Sequence, residues 1–232
     1  LEAFFLAGDT ATLRKVLETE TDPLLRTTAI QGIAMEDDAD AAALLESVYD
    51  DATTNKEKRA VLEALVMMDD AEELALKIAR TETDPDLRRE AIQMLGVMEA
   101  TKEIAELYAT IDEVELRKAV LESMMIADDT AGLIEVMKTE QDPQVRAAAI
   151  QALAVSDDDV AADYLLSLYP DGSADEKQAV IESMMIMEYP QGLISLLKEE
   201  QDPDRRREML QMLTMMDSAE ANEYLFELLE NK

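Results

Sequence analysis

Apolar residues recur along the chain at the three- and four-residue spacing of amphipathic helices. The clearest segment follows Asp142-Pro143, where Asp can cap backbone amides and Pro at the first turn loses no hydrogen bond. Another apolar stripe precedes it. In this pair the second stripe is Val145, Ala149, Ile150 and Leu153, and the first stripe is Leu133, Ile134, Val136 and Met137. The first stripe of a later pair is Leu193, Ile194, Leu196 and Leu197. The pattern predicts pairs of helices joined by short acidic loops.

The helix pairs repeat along the chain. Asp-Pro begins at Asp22, Asp84, Asp142 and Asp202, at separations of 62, 58 and 60 residues. Pairs without Asp-Pro lie between these copies. A basic residue marks each second helix at steps of 32, 30, 29, 29, 31 and 29 residues, namely Arg26, Lys58, Arg88, Arg117, Arg146, Lys177 and Arg206. A two-helix unit cannot bury its stripe alone, so stacked neighbours must share a core, and an all-α fold of the α-solenoid type is predicted.

The best copy of the motif also carries a family resemblance. Asp142-Pro143-x-Val145-Arg146-x-x-Ala149-x-x-Ala152-Leu153 resembles the second helix of the short HEAT-like repeats named after phycobilisome lyase subunits. The resemblance covers the whole chain as about eight repeats, and the chain is also similar to HEAT repeat segments of bacterial multi-repeat proteins of unassigned role. It implies a right-handed α-α superhelix in which the second helices line a concave surface. Scaffolds, adaptors, lyase subunits and a few enzymes use such repeats.

A second period of about sixty residues is superimposed on the first. The residue after the central aliphatic of each second helix alternates between Glu and Gln: Glu2, Gln31, Glu63, Gln93, Glu122, Gln151, Glu182 and Gln211. The first helices of the Glu hairpins end in Tyr49, Tyr108 and Tyr169, whereas a Thr-Glu or Glu-Glu segment precedes each Asp-Pro. Two interpretations stay open: duplication of a pair of hairpins, or a ladder in which Gln amides bridge the carboxylates.

The two ends of the chain are out of phase with the repeat. Leu1–Leu6 aligns with Leu121–Ile126, so the sequence starts inside a second helix, and it stops after a first helix that contains Tyr224. Neither end resembles a polar capping repeat. We therefore expect residues 1–232 to form a single repeat domain that is a fragment of a longer chain. The alternative is that the uncapped ends pack on a partner or on another copy.

Composition and charge exclude several classes of function. The chain has 21 Lys and Arg against 53 Asp and Glu, a formal net charge of −32, and it has no His, Cys or Trp. Disulfides, thiolate nucleophiles, zinc clusters and imidazole bases are therefore excluded. The negative charge disfavours nucleic acid and anionic membrane surfaces. We expect no membrane insertion; no signal peptide is visible, and the compartment, cytoplasmic or extracytoplasmic, stays open.

Two sets of residues are candidates for function or for bracing the stack. Polar positions beside the buried stripe of the second helices form the candidate concave binding face: Gln31, Arg59, Glu63, Arg89, Gln93, Lys118, Glu122, Gln151, Gln178, Glu182, Arg207 and Gln211. The alternative is a solvated face without a ligand. The candidate stack-bracing residues, each expected to pair with an acidic residue of a neighbouring hairpin, are Arg26, Arg88, Arg117 and Arg146. The clustered Met residues near the ends of these helices favour core filling over a partner groove.

No combination of residues in the sequence predicts catalysis. HEAT-like iron-dependent hydroxylases use His-Glu pairs and similar DNA glycosylases present a basic surface, neither of which this chain offers. No loop has EF-hand spacing, and we expect no cofactor and no metal. The prediction is a non-catalytic protein–protein interaction scaffold whose protein or peptide partner carries a basic patch. A structural spacer, or by the resemblance alone a lyase- or chaperone-type subunit, is the alternative.

Overall fold

The structure, a computed structural model, describes residues 10–35, 39–156 and 158–230. These residues form fifteen α-helices and no strand. In order, the helices are α1 Thr10–Thr19, α2 Pro23–Ala34, α3 Ala39–Asp51, α4 Asn55–Leu65, α5 Glu72–Thr81, α6 Pro85–Val97, α7 Thr101–Tyr108, α8 Val114–Ile126, α9 Thr130–Thr139, α10 Pro143–Val155, α11 Asp159–Leu168, α12 Ala174–Ile186, α13 Pro190–Glu199, α14 Pro203–Met215 and α15 Ala219–Glu230. Odd numbers are first helices of hairpins and even numbers are second helices.

The chain divides into two units, residues 1–127 and 128–232. Within the first unit each second helix packs against the next, from α2 to α8, and α5 packs against α7. Within the second unit α10 packs against α12, and α9, α11, α13 and α15 follow one another in the same way. Each unit is thus a stack of hairpins, as an α-solenoid requires. The predicted second helix at Leu1–Leu6 lies outside the described residues.

The Asp-Pro pairs begin second helices as predicted. Pro143 is the first residue of α10, and the Asp142 carboxylate accepts the backbone N–H groups of Gln144 at 2.8 Å and Val145 at 3.2 Å. The same cap occurs at the start of α2, α6 and α14. Asp satisfies two donors that have no partner inside the helix, while Pro costs none. This local chemistry sets the position of four of the second helices.

The predicted stripes form the core. Val145, Ala149, Ile150 and Leu153 of α10 are fully buried. The first-helix stripes are buried too, except for the half-buried Ile194. The methionine pairs divide between core and surface, since Met124 and Met184 are buried whereas their neighbours Met125 and Met185 are not. Core filling therefore accounts for one methionine of each of these pairs.

Candidate binding surface

All twelve residues of the predicted binding face lie on second helices, and none of them is buried. Eight are exposed and four are half-buried. They are distributed as Gln31 on α2; Arg59 and Glu63 on α4; Arg89 and Gln93 on α6; Lys118 and Glu122 on α8; Gln151 on α10; Gln178 and Glu182 on α12; and Arg207 and Gln211 on α14. The surface that these residues form on the even-numbered helices is called here the second-helix surface. Its ability to bind a partner stays a prediction.

Side chains on this surface also contact one another. The Arg59 Nε donates to both carboxylate oxygens of Glu90, at 2.7 and 2.9 Å. At the equivalent position of the second unit, the Gln178 amide donates to Glu208 at 2.6 Å. Each of these contacts joins one second helix to the next. Part of the second-helix surface is therefore occupied by contacts between side chains of the chain itself.

A row of exposed apolar residues lies one turn after the Glu/Gln positions. Residues four apart share a helix face. Four positions beyond every described Glu or Gln of the alternating series stands a large apolar residue whose exposed fraction is between 43% and 70%: Met35, Met67, Val97, Ile126, Val155, Ile186 and Met215. We call these residues the apolar row. Sequence reasoning missed this row, although its fixed distance from the polar Glu and Gln positions is the signal that separates it from the buried stripe.

A row of acidic residues follows directly. Within the described part of the chain, every non-glycine residue with positive φ is acidic and lies just past the end of a second helix: Asp70, Glu99, Asp128, Glu188 and Asp217, with φ between 40° and 59°. We call these residues the acidic row. This left-handed position usually holds Gly or Asn, and a negative charge is unfavourable at a helix C-terminus. Each of these residues also lies two positions before the first residue of the next helix, where a negative charge is favourable, so the helix dipoles act on it in both directions.

In the second unit a cleft lies between two members of the apolar row. It has a volume of about 340 Å³ and lies between the ends of α10 and α12. Its lining combines apolar and acidic side chains, including Val155, Asp158, Ile186, Met187, Glu188 and Tyr189. This cleft can accept an apolar side chain and place cationic groups near carboxylates.

Two of the four predicted bracing arginines make close contacts with a carboxylate of the next hairpin. In the second unit, Nε and Nη2 of Arg146 lie 2.7 and 2.6 Å from the Glu176 carboxylate, and its Nη1 donates to the carbonyl oxygens of Met137 and Glu140. Arg26 pairs in the same way with Glu57.

The other two bracing candidates differ. Arg88 donates to the Ala79 carbonyl at 2.9 Å and lies 3.9 Å from the Glu113 carboxylate. The Arg117 guanidinium lies 5.0 Å from the centre of the Tyr108 ring. Each arginine joins its own second helix to another element.

Replacing Arg146 by Ala is expected to lower the free energy of unfolding by about 2 kcal/mol. The change leaves Glu176 without its cation and two helix-end carbonyls without a donor. Arg207→Ala, which removes a guanidinium whose side chain is 71% exposed, is the matched control and is expected to change stability by less than about 0.5 kcal/mol. Urea unfolding of both variants measures the difference; equal losses would show that Arg146 does not brace the stack.

Sequence reasoning missed three buried carboxylates, Glu82 in the first unit and Glu140 and Glu200 in the second. Glu82, at the end of α5, is only 8% exposed. One of its oxygens accepts from the Tyr49 hydroxyl and from Lys58 Nζ, each at 2.7 Å, while the other accepts the N–H groups of Thr83 and Asp84 at 2.7 and 2.8 Å. Burial alone would raise the pKa of Glu82, but these donors lower that pKa to about 2. Burial and the neighbouring carboxylate raise the pKa of Tyr49.

The second unit repeats this cluster with a different cation. Glu200 accepts from the Tyr169 hydroxyl, from Arg205 Nε at 2.8 Å, and from the N–H groups of Gln201 and Asp202 at 2.6 and 2.7 Å. Burial would raise the pKa of Glu200, but the same donors hold that pKa at about 2. In both clusters a tyrosine of a Glu hairpin bonds to the glutamate that precedes the next Asp-Pro. The sixty-residue period therefore has a structural reason, and Tyr49 and Tyr169 were its visible signal.

The part of the chain that the structure describes contains no membrane-spanning helix and no cluster of metal ligands. None of its helices combines the length and the apolar content needed to cross a bilayer. Nor does that part bring three or more acidic side chains together in a group that could hold a metal ion.

Comparison with known proteins gives one family match. Residues 72–154 match the family model described as HEAT repeats. The complex of CpcE and CpcF of phycocyanin lyase from Nostoc sp. PCC7120 is similar in structure, at 15% identity and a TM-score of 0.42, covering 92% of this chain and 91% of that one. The E. coli protein YibA is similar at 14% identity and a TM-score of 0.45, covering 100% and 95%. The search of the curated proteins found no match.

Proposed function

We propose that this chain, whose residues 72–154 are HEAT repeats, is a non-catalytic scaffold that binds a protein or peptide on the second-helix surface. One observation carries the proposal. Within each unit the second helices, four in the first and three in the second, present polar residues at one register, and none of the twelve predicted positions is buried. A repeated surface of this kind suits an extended partner, because each hairpin adds the same elements of recognition.

Charge indicates the kind of partner. The net charge of −32 favours a partner with a basic patch and speeds its association at low salt. On the surface itself, Arg59, Lys118 and Arg207 each lie within 3.3 Å of a carboxylate of this chain. Their charges are therefore partly offset, and Glu63, Glu122 and Glu182 add to the negative potential. With no His and no Cys, the chain also has no imidazole base and no thiolate to offer a substrate.

The test is the salt dependence and the location of partner binding. A partner isolated with the chain from its native source is titrated calorimetrically at about 50 and 300 mM NaCl, and its Kd is expected to rise at least tenfold with salt. Replacing Glu63, Glu122 and Glu182 together by Gln is expected to weaken binding. The matched control replaces three exposed glutamates of first helices, Glu73, Glu199 and Glu220, by Gln and changes the net charge equally. Affinity that is indifferent to salt, or equal loss in both triple variants, would contradict the proposal.

A structural spacer is the second candidate. The Arg59–Glu90 and Gln178–Glu208 contacts favour it, because they occupy part of the second-helix surface with side chains of the chain itself. A spacer needs no partner on this surface. A monomer from the native source with no bound protein would favour a spacer within a larger protein over the scaffold.

A further inference from the structure

We infer that the apolar row anchors the partner and that the partner is a basic, amphipathic helix of another protein. The inference rests on the proposed scaffold function and makes it more specific. It assigns the binding energy to the C-terminal turns of the second helices. It also states which side chains the partner brings: apolar anchors on one face, with Lys or Arg on both sides of them.

The first support is that the apolar row is not required by the core. On α10, Leu153 and Ala154 are buried, whereas Val155 is 62% exposed. On α12, Met184 is buried and Ile186 is 56% exposed. A single exposed apolar residue is ordinary on a protein surface. Here the same register holds one at or just past the end of every second helix that the structure describes, four in the first unit and three in the second, which is the arrangement expected of a contact surface in each unit.

The second support is the acidic row, which lies beside the apolar row. Glu188 lies two residues after Ile186 with φ of 49°, and the N–H that follows it bonds to the Met184 carbonyl at 2.9 Å. This is the position that helices usually close with Gly, because a side chain in the left-handed region is strained. The left-handed conformation is unfavourable for Glu188, and its charge lies between the C-terminus of α12 and the N-terminus of α13. Its carboxylate is exposed and can pair with a cationic group of the partner.

The third support is the fit of an α-helix to the spacing. Packed second helices lie roughly 10 Å apart. Two turns of an α-helix rise about 10.8 Å, so apolar residues seven apart on a partner helix can meet neighbouring members of the row within one unit, such as Val155 and Ile186. The cleft between Val155 and Ile186 offers a seat for one such anchor. Asp158 and Glu188, which also line it, lie where flanking cations of the partner would be placed.

The experiment uses the full chain and a synthetic helical peptide. The peptide has 21 residues and a seven-residue repeat in which Leu stands at every seventh position with Lys on both sides. Its control has Ser in place of each Leu. We expect the Leu peptide to bind at least tenfold more tightly than the Ser peptide. Replacing Val155 and Ile186 together by Ser is expected to lower the affinity for the Leu peptide at least tenfold. Leu24→Ser is the matched control, because Leu24 is 60% exposed at the other end of a second helix, and it is expected to change affinity less than twofold. Far-UV circular dichroism checks that each variant is folded.

Three results would overturn the inference. These are no measurable binding of the Leu peptide, equal binding of the two peptides, and equal effects of the Val155/Ile186 and Leu24 variants. The proposed function is judged separately with the native partner. If that partner binds the Val155/Ile186 variant as tightly as the parent but loses affinity for the Glu63/Glu122/Glu182 variant, the scaffold proposal holds and the anchoring inference is wrong. If neither variant weakens the native partner, both are wrong.

Discussion

Replacing Glu82 by Gln is expected to lower the free energy of unfolding by about 3 kcal/mol at neutral pH. The pKa of Glu82 is lowered from 4.5 to about 2, a difference that corresponds to roughly 3 kcal/mol favouring the carboxylate in the folded chain. Gln keeps the shape, but it leaves Lys58 without its buried counter-charge. Urea unfolding measures the loss. Glu73→Gln, on the same helix and exposed, is the matched control and is expected to have an effect below about 0.5 kcal/mol.

The same comparison has a defined pH dependence. Because the folded pKa lies below the unfolded pKa, the stabilisation is complete above pH 4.5 and is lost as the pH falls towards 2. The difference in unfolding free energy between the parent and Glu82→Gln is therefore expected to shrink across that interval. Relief of general charge repulsion affects both proteins and cancels in the comparison. A difference that stays constant from pH 7 to pH 2 would show that the carboxylate charge does not stabilise this cluster.

Ile150→Ala is expected to lower the free energy of unfolding by about 3 kcal/mol, while Val155→Ala on the same helix is expected to change it by less than about 0.5 kcal/mol. Ile150 is fully buried, so its removal loses apolar contacts and leaves a cavity. Val155 is 62% exposed, so its replacement by Ala removes few apolar contacts. Chemical denaturation of the two variants in parallel gives both values. A loss above about 1 kcal/mol for Val155→Ala would place the apolar row in the core and remove its availability to a partner.

The sequence allowed the stacked hairpins and their buried stripes to be predicted. Asp142-Pro143 carries its own capping chemistry, so the start of α10 followed from two residues. The stripe from Val145 to Leu153 follows the helical period and is buried as predicted. Local signals of this kind need no tertiary information.

Other features depend on tertiary contacts and were not predictable. A glutamate at the end of a helix is normally solvated, and only the approach of Tyr49 and Lys58 shows that Glu82 is buried. Val155 lies two residues after Leu153 and therefore off the buried stripe, but the extent to which its apolar side chain is exposed depends on the neighbouring hairpins. The boundary between the two units also follows from packing, because the Ala127-Asp128-Asp129 segment looks like the other acidic connections of the chain.

Hydrogen exchange of the chain, alone and in complex with its native partner, tests the scaffold function most directly. Mass spectrometry of peptic fragments resolves the protection of backbone amides helix by helix. We expect the partner to increase protection at the ends of second helices, such as α10 and α12, and to leave the first helix α9 unchanged. Added protection confined to first helices, or no added protection in a complex that is formed, would contradict binding on the second-helix surface.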